Sequence, residues 1–171
     1  MLTKTDIEKY FNAEKSESLL FIILGIAAIL LALIFFFYLN SKWHKGAALP
    51  FLIIGLIHVT VGAVVFTRSD ADRIRAVYAF DMNPGELQTK EIPRMELVNK
   101  NFVMYRYIKI ILLLTGLVNY FYFKSNADKS FWVGLGLALA IEAGVSLSAD
   151  YFAEKRAGIY TRQLKAFVNR K

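Results

Sequence analysis

An uninterrupted run of 21 residues without a single charge, 19–39, constrains this chain more than any other feature. About 20 residues at 1.5 Å rise cross a hydrocarbon core of about 30 Å. The run is too long for the apolar core of a cleavable signal, and no small-residue cleavage site follows it, so it predicts a retained span. Three further stretches meet a similar test: 47–67, about 107–123 and 131–149.

Composition supports the same reading. The chain is 56% hydrophobic yet 20% charged, with no cysteine. Soluble domains average about 45–50% apolar residues, so the excess belongs outside an ordinary core and the charge is confined to particular stretches. Disordered, disulfide-stapled and cysteine-ligated metal proteins are excluded. The expected fold is all-α: one integral membrane domain over 1–171, a four-helix transmembrane bundle. A cytoplasmic helical hairpin at 68–106 and amphipathic helical ends at 1–18 and 150–171 complete it.

Orientation follows from the 21 lysines and arginines. Sixteen lie in the two tails and the central segment, a seventeenth, Lys109, follows at the inner edge of the third span, and four lie in the two short loops around 41–46 and 124–130. The positive-inside rule then places both termini and the central segment in the cytoplasm. Compactness and the lack of a targeting signal point to a bacterial inner membrane. Aromatic residues mark the same edges, Trp43, Tyr120, Phe131 and Trp132 outside, and Tyr10, Phe11, Tyr105, Tyr151 and Phe152 inside, because such rings settle at headgroup level.

The flanking segments carry helix signals. Thr3 or Thr5 can cap a helix with Ile7, Tyr10 and Phe11 on one face, a face expected to lie among the headgroups. Asn83-Pro84-Gly85 predicts a turn, and Pro93 suits the start of a helix running into the third span. Ser69 or Asp70 can cap a short helix through Phe80, unless the second span simply continues. Phe152, Tyr160, Leu164, Phe167 and Val168 give the fourth span an amphipathic continuation.

Polar groups inside the spans carry the chemistry. Glu142 lies about 3 Å past the midpoint of the fourth span by residue count. An acid there costs on the order of 2.5–3.5 kcal/mol against lipid, so it faces protein or water. Around it run two rows of small residues at i+4 spacing, Gly136–Ala140–Gly144–Ser148 and Gly134–Ala138–Glu142–Ser146, which let neighbouring helices approach closely. Counted from the start of each apolar run, His58 in the second span reaches the same depth as Glu142. A hydrogen bond between them is then geometrically open. Thr115 stands near that level and Asn119 about a turn further out. These four form a candidate intramembrane site, as a proton or cation relay or as interhelical glue. Asp150, Glu154, Arg156 and Tyr160 form a candidate polar patch at the cytoplasmic exit of the fourth span, or a salt-bridged solvated face.

Enzyme signatures are missing: no phosphate loop, no His-Glu-x-x-His and no Gly-x-Ser-x-Gly. Two histidines and no cysteine leave no basis for a histidine-rich metal site, and no cofactor is expected. The net charge of +7 flanks the spans, where anionic headgroups attract each cation by about 1 kcal/mol, so the bilayer rather than nucleic acid is the expected partner. The favoured expectation is a non-enzymatic accessory or interaction protein with a protein partner on the cytoplasmic side, open to homo-oligomerisation. The alternatives are a small proton- or cation-coupled transporter or oligomeric channel using Glu142 and His58, and a lipid-modifying enzyme using inner-surface carboxylates. A transporter needs Glu142 in a water-filled cleft, whereas an enzyme needs carboxylates converging on one headgroup-level pocket.

Overall fold

The computed structural model describes residues 2–169, and among these there are four long helices and no strand. They are α1 (Lys4–Leu33), α2 (Lys42–Met82), α3 (Ile92–Phe123) and α4 (Ser130–Val168). All four are long and apolar enough to cross a membrane. The 41 residues of α2 make a rod of about 60 Å, twice the hydrocarbon thickness. Each rod therefore has an apolar half toward the loop end and a polar half toward the termini.

Local chemistry sets the boundaries. Thr3 and Asp6 form a capping box at the start of α1, each side chain bonding the other's backbone N–H. The last turns of α1, Ile34–Leu39, widen into a π turn, and Asn40 at φ 48° reverses the chain. Asparagine tolerates that left-handed conformation better than other residues with a Cβ. Ser41 Oγ then accepts from the His44 N–H and starts α2. No new helix begins at Ser69 or Asp70: the second span simply continues to Met82. Asn83 breaks it, a short helical turn and a π turn follow, and Pro93 occupies the first turn of α3.

The helices pack in the order α1–α2–α4–α3. α1 and α2 are antiparallel, as are α3 and α4, but α2 and α4 run parallel. In the apolar half the seams are built from glycine and alanine. A Cβ on Gly25 would lie 2.6 Å from the Gly55 carbonyl oxygen, and one on Gly116 would lie 2.7 Å from that of Gly136. Ala28, Ala32, Ala47, Ala48 and Ala138 fill the space around Phe51. The two small-residue rows of α4 take different partners: Gly136 and Ala140 lie against Gly116 of α3, and Gly134 lies against Trp43 and Ala47 of α2.

In the polar half the segments expected to lie among headgroups pack on one another instead. Ile7, Tyr10 and Phe11 of α1 join Ala76 and Ala79 of α2, Leu87, Met95 of α3, and Ala157, Tyr160 and Leu164 of α4 in one hydrophobic core. Tyr10 stacks on Tyr160 with ring centroids 4.2 Å apart, and Phe80 stacks on Phe167 at 5.0 Å. The apolar face of each terminal helix is therefore buried against protein rather than left for the bilayer surface. The reason is that the rods outrun the hydrocarbon, and outside it their apolar stripes bury best against each other.

Candidate functional site

Two polar arrangements stand out, one in each half. The first lies within the core of the polar half. Arg94, on the first turn of α3, donates from Nε and Nη2 to the two carboxylate oxygens of Glu91, at 2.9 and 2.7 Å. Tyr160 of α4 donates its hydroxyl to the same Glu91 carboxylate at 3.2 Å, and Asp72 of α2 stands 3.8 Å from Arg94 Nη1. The guanidinium also lies 5.1 Å from the centre of the Phe11 ring. A second carboxylate, Glu14 of α1, accepts from Tyr10 at 3.4 Å and from Ser69 at 3.2 Å. The two groups, joined by the stacked Tyr10 and Tyr160 rings, together bridge all four helices.

Electrostatics in this layer follow burial first. Burial would discharge Arg94, yet the hydrogen bonds and charge of Glu91 outweigh it and hold the guanidinium ionised. Burial, with neighbouring carboxylates, pushes the Tyr10 and Tyr160 hydroxyls up, so both stay neutral donors. Glu14 is pushed above its ordinary value of 4.5, mainly by burial and against the pull of Arg94 and Arg68. A carboxyl whose folded value is raised binds a proton more readily in the folded state than in the unfolded one. Its ionisation therefore removes stability as pH rises from the unfolded value through the folded one. Glu14→Gln is expected to raise the melting temperature at neutral pH and to flatten the fall in stability just above the ordinary carboxylate range. Thermal unfolding of both proteins across that range checks it. An unchanged slope would mean that Glu14 does not govern it.

The second arrangement runs along α4 from the polar half into the apolar half. Glu154, Asp150, Ser146 and Glu142 follow at four-residue intervals, one rung about every 6 Å. Glu154 pairs with Arg106 of α3 at 2.9 Å, and Asp150 with Lys109 of α3 at 2.5 Å. Ser146 Oγ and His58 Nε2 of α2 share a hydrogen bond of 2.8 Å. Phe21 of α1 packs its ring edge to face on His58, centroids 5.2 Å apart, and lies 5.9 Å from the Lys109 ammonium. Glu142, only 7% exposed, has neither hydrogen bond nor ion pair among the described residues. The Nδ1 atom of His58 is buried without a partner.

The expected equality of depth between His58 and Glu142 is shifted by one turn. α2 starts at Lys42, five residues before its apolar run, whereas α4 starts at Ser130, one residue before its own. Lys42, Trp43, His44 and Lys45 are too polar to register as span but helical all the same. Counting from the true helix starts brings His58 level with Ser146. Thr115 and Asn119 sit elsewhere: both line a cavity of about 530 Å³ toward the loop end, together with Val118, Tyr122, Trp132 and Leu135. Asn119 Nδ2 donates there to the Trp132 carbonyl at 2.9 Å.

The four residues of the expected polar patch do not converge on one site. Asp150 and Glu154 pair with α3, Arg156 pairs with Glu17 of α1, and Tyr160 points into the core at Glu91. Sequence reasoning missed Glu14, Asp72, Glu91 and Arg94, two of them buried and two half-buried, as one polar layer. A signal existed: Glu14, Asp72 and Glu91 each stand four residues from a core position, Tyr10, Ala76 and Met95 respectively, which puts them on the buried face.

Four membrane-length rods with polar extensions define a four-helix membrane bundle. No family model, curated protein or solved structure matches the chain.

Proposed function

We propose that this chain is a non-enzymatic membrane protein of a bacterial inner membrane, acting as an accessory or interaction partner through its polar half in the cytoplasm. The distribution of basic residues supports that orientation, with seventeen on the side of the termini. One observation carries the functional reading. Beyond the membrane level α2 presents Ile74, Tyr78 and Met82 at i+4 spacing, 65%, 60% and 71% exposed. The stripe is about 12 Å long, follows the apolar run 47–67 and lies outside the core. Large apolar side chains aligned on an exposed helix face fit the apolar stripe of a partner helix. The non-enzymatic part of the reading is supported by the commitment of the inner-surface carboxylates to ion pairs: Asp70, Asp150 and Glu154 each with a cation of another helix, and Asp72 and Glu91 both with Arg94.

A photo-crosslinking residue placed at Tyr78 in the full chain, in native membranes, tests the reading. A protein adduct is expected from Tyr78 and lost on Ile74→Asp, with none from a matching probe at the exposed Lys100 of α3. Equal adducts from both positions, or none from Tyr78, would overturn it. An adduct between two copies would identify the partner as the chain itself.

A further inference from the structure

We propose that Glu142 is a proton-binding site reached only from the side that holds the two termini, through the polar row of α4. The inference does not rest on the interaction reading. Glu142 ends a ladder whose outer rungs, Glu154 and Asp150, begin at the polar half and whose next rung, Ser146, is joined to His58. From Asp150 to Glu142 the row descends eight residues, about 12 Å into the apolar half.

Every rung but the last is satisfied. Glu142 is 7% exposed and makes no hydrogen bond or ion pair among the described residues, and one turn away His58 keeps a buried ring nitrogen unpaired. An ionised carboxylate held in that state is costly, and taking up a proton removes its charge. A metal cation would need several further oxygen ligands, and no group of three or more His, Cys, Asp or Glu side chains suited to a metal occurs among the described residues. The proton is the ligand that one carboxylate takes unaided.

The charged and titratable groups around this end of the row come from three helices: His58 from α2, Lys109 from α3 and Asp150 from α4. α1 contributes the Phe21 ring. Imidazole moves a proton by binding one at one ring nitrogen and releasing one from the other. The orphaned Nδ1 and the Ser146-bonded Nε2 give His58 both ends of that exchange. The net step turns the Glu142 carboxylate and one proton from water on the termini side into a neutral carboxylic acid.

Past Glu142 the row closes. Ala138 is fully packed, and Gly134 fits so tightly under α2 that a Cβ would stand 2.0 Å from the Trp43 carbonyl oxygen. Gly46 of α2 meets the Phe131 carbonyl in the same way, at 1.9 Å. Between Glu142 and Ser130, the first residue of α4, the row carries only Ala138 and Gly134, neither with a polar side chain. The site therefore exchanges with one compartment.

The test uses the full chain in proteoliposomes of uniform orientation, with pH set separately on the two sides. The infrared carbonyl band of a protonated carboxyl is recorded and assigned to Glu142 by its loss in Glu142→Gln. The band is expected to grow as pH falls on the termini side and to ignore the other side. Replacing the Asp150–Lys109 pair together, Asp150→Asn with Lys109→Met, is expected to slow the response while leaving its amplitude. If Glu142→Gln does not fold, Glu142→Asp must shift the band. A band insensitive to pH, one that follows the loop-side compartment, or one unaltered by either Glu142 variant overturns the proposal.

Discussion

Arg94→Met is expected to cost about 3–5 kcal/mol of stability, the usual loss when one partner of a buried ion pair is removed. The substitution keeps most of the side-chain volume and its contact with Phe11, so packing is not what is lost. What remains is Glu91, buried with only the Tyr160 hydroxyl to satisfy it, and Asp72 without its inter-helix cation. Denaturant titration of the full chain in detergent micelles reads the loss. Adding Glu91→Gln is expected to recover most of it, because the stranded charge disappears. If Arg94→Met unfolds no more easily than the parent, the network does not hold the polar half together.

The second large effect is steric. Gly134→Ala places a methyl group 2.0 Å from the backbone oxygen of Trp43 and 3.2 Å from the nitrogen of Ala47. These atoms belong to the helix itself and cannot rotate away as a side chain would. The seam between α2 and α4 has to open, at a cost at the upper end of overpacking, about 3 kcal/mol. Gly158→Ala is the internal control. Nothing lies within 4 Å of a Cβ there, so the better helix propensity of alanine is expected to add up to about 1 kcal/mol. Comparing the two in the same detergent titration separates close approach from propensity. Equal responses would show that the Gly134 seam is not tight.

Much of this architecture is legible in the sequence because lipid imposes a simple requirement. A span needs length and apolar content, and 19–39, 47–67, 107–123 and 131–149 supply both. The small-residue rows of α4 were equally readable, though not which neighbour each row meets. What hydropathy does not reveal is a helix that begins before its apolar run. Lys42–Lys45 added a turn to α2, and that turn moved His58 from Glu142 to Ser146. The polar half was harder for another reason. An amphipathic stripe such as Ile7–Tyr10–Phe11 announces that it is buried but not against what, and lipid headgroups and a neighbouring helix ask the same of it. Glu91 and Arg94 are harder still, because charges on a helix usually mean solvent. Only the four-residue register of Glu91 with Met95 hints at burial, and Arg94 has no such register.

The parallel seam between α2 and α4 also bears on how the chain is made. Its contacts join residues as far apart as 91 positions, Trp43 and Gly134, whereas each antiparallel pair is closed by a short loop. Local contacts form before distant ones because loop closure costs entropy. By that rule the two hairpins are expected to form first and to dock last along α2 and α4. Until they dock, the second hairpin carries Glu142 on a face that only the first can cover, at an insertion penalty on the order of 2.5–3.5 kcal/mol. On this order of assembly, completing the seam is what takes Glu142 out of reach of lipid.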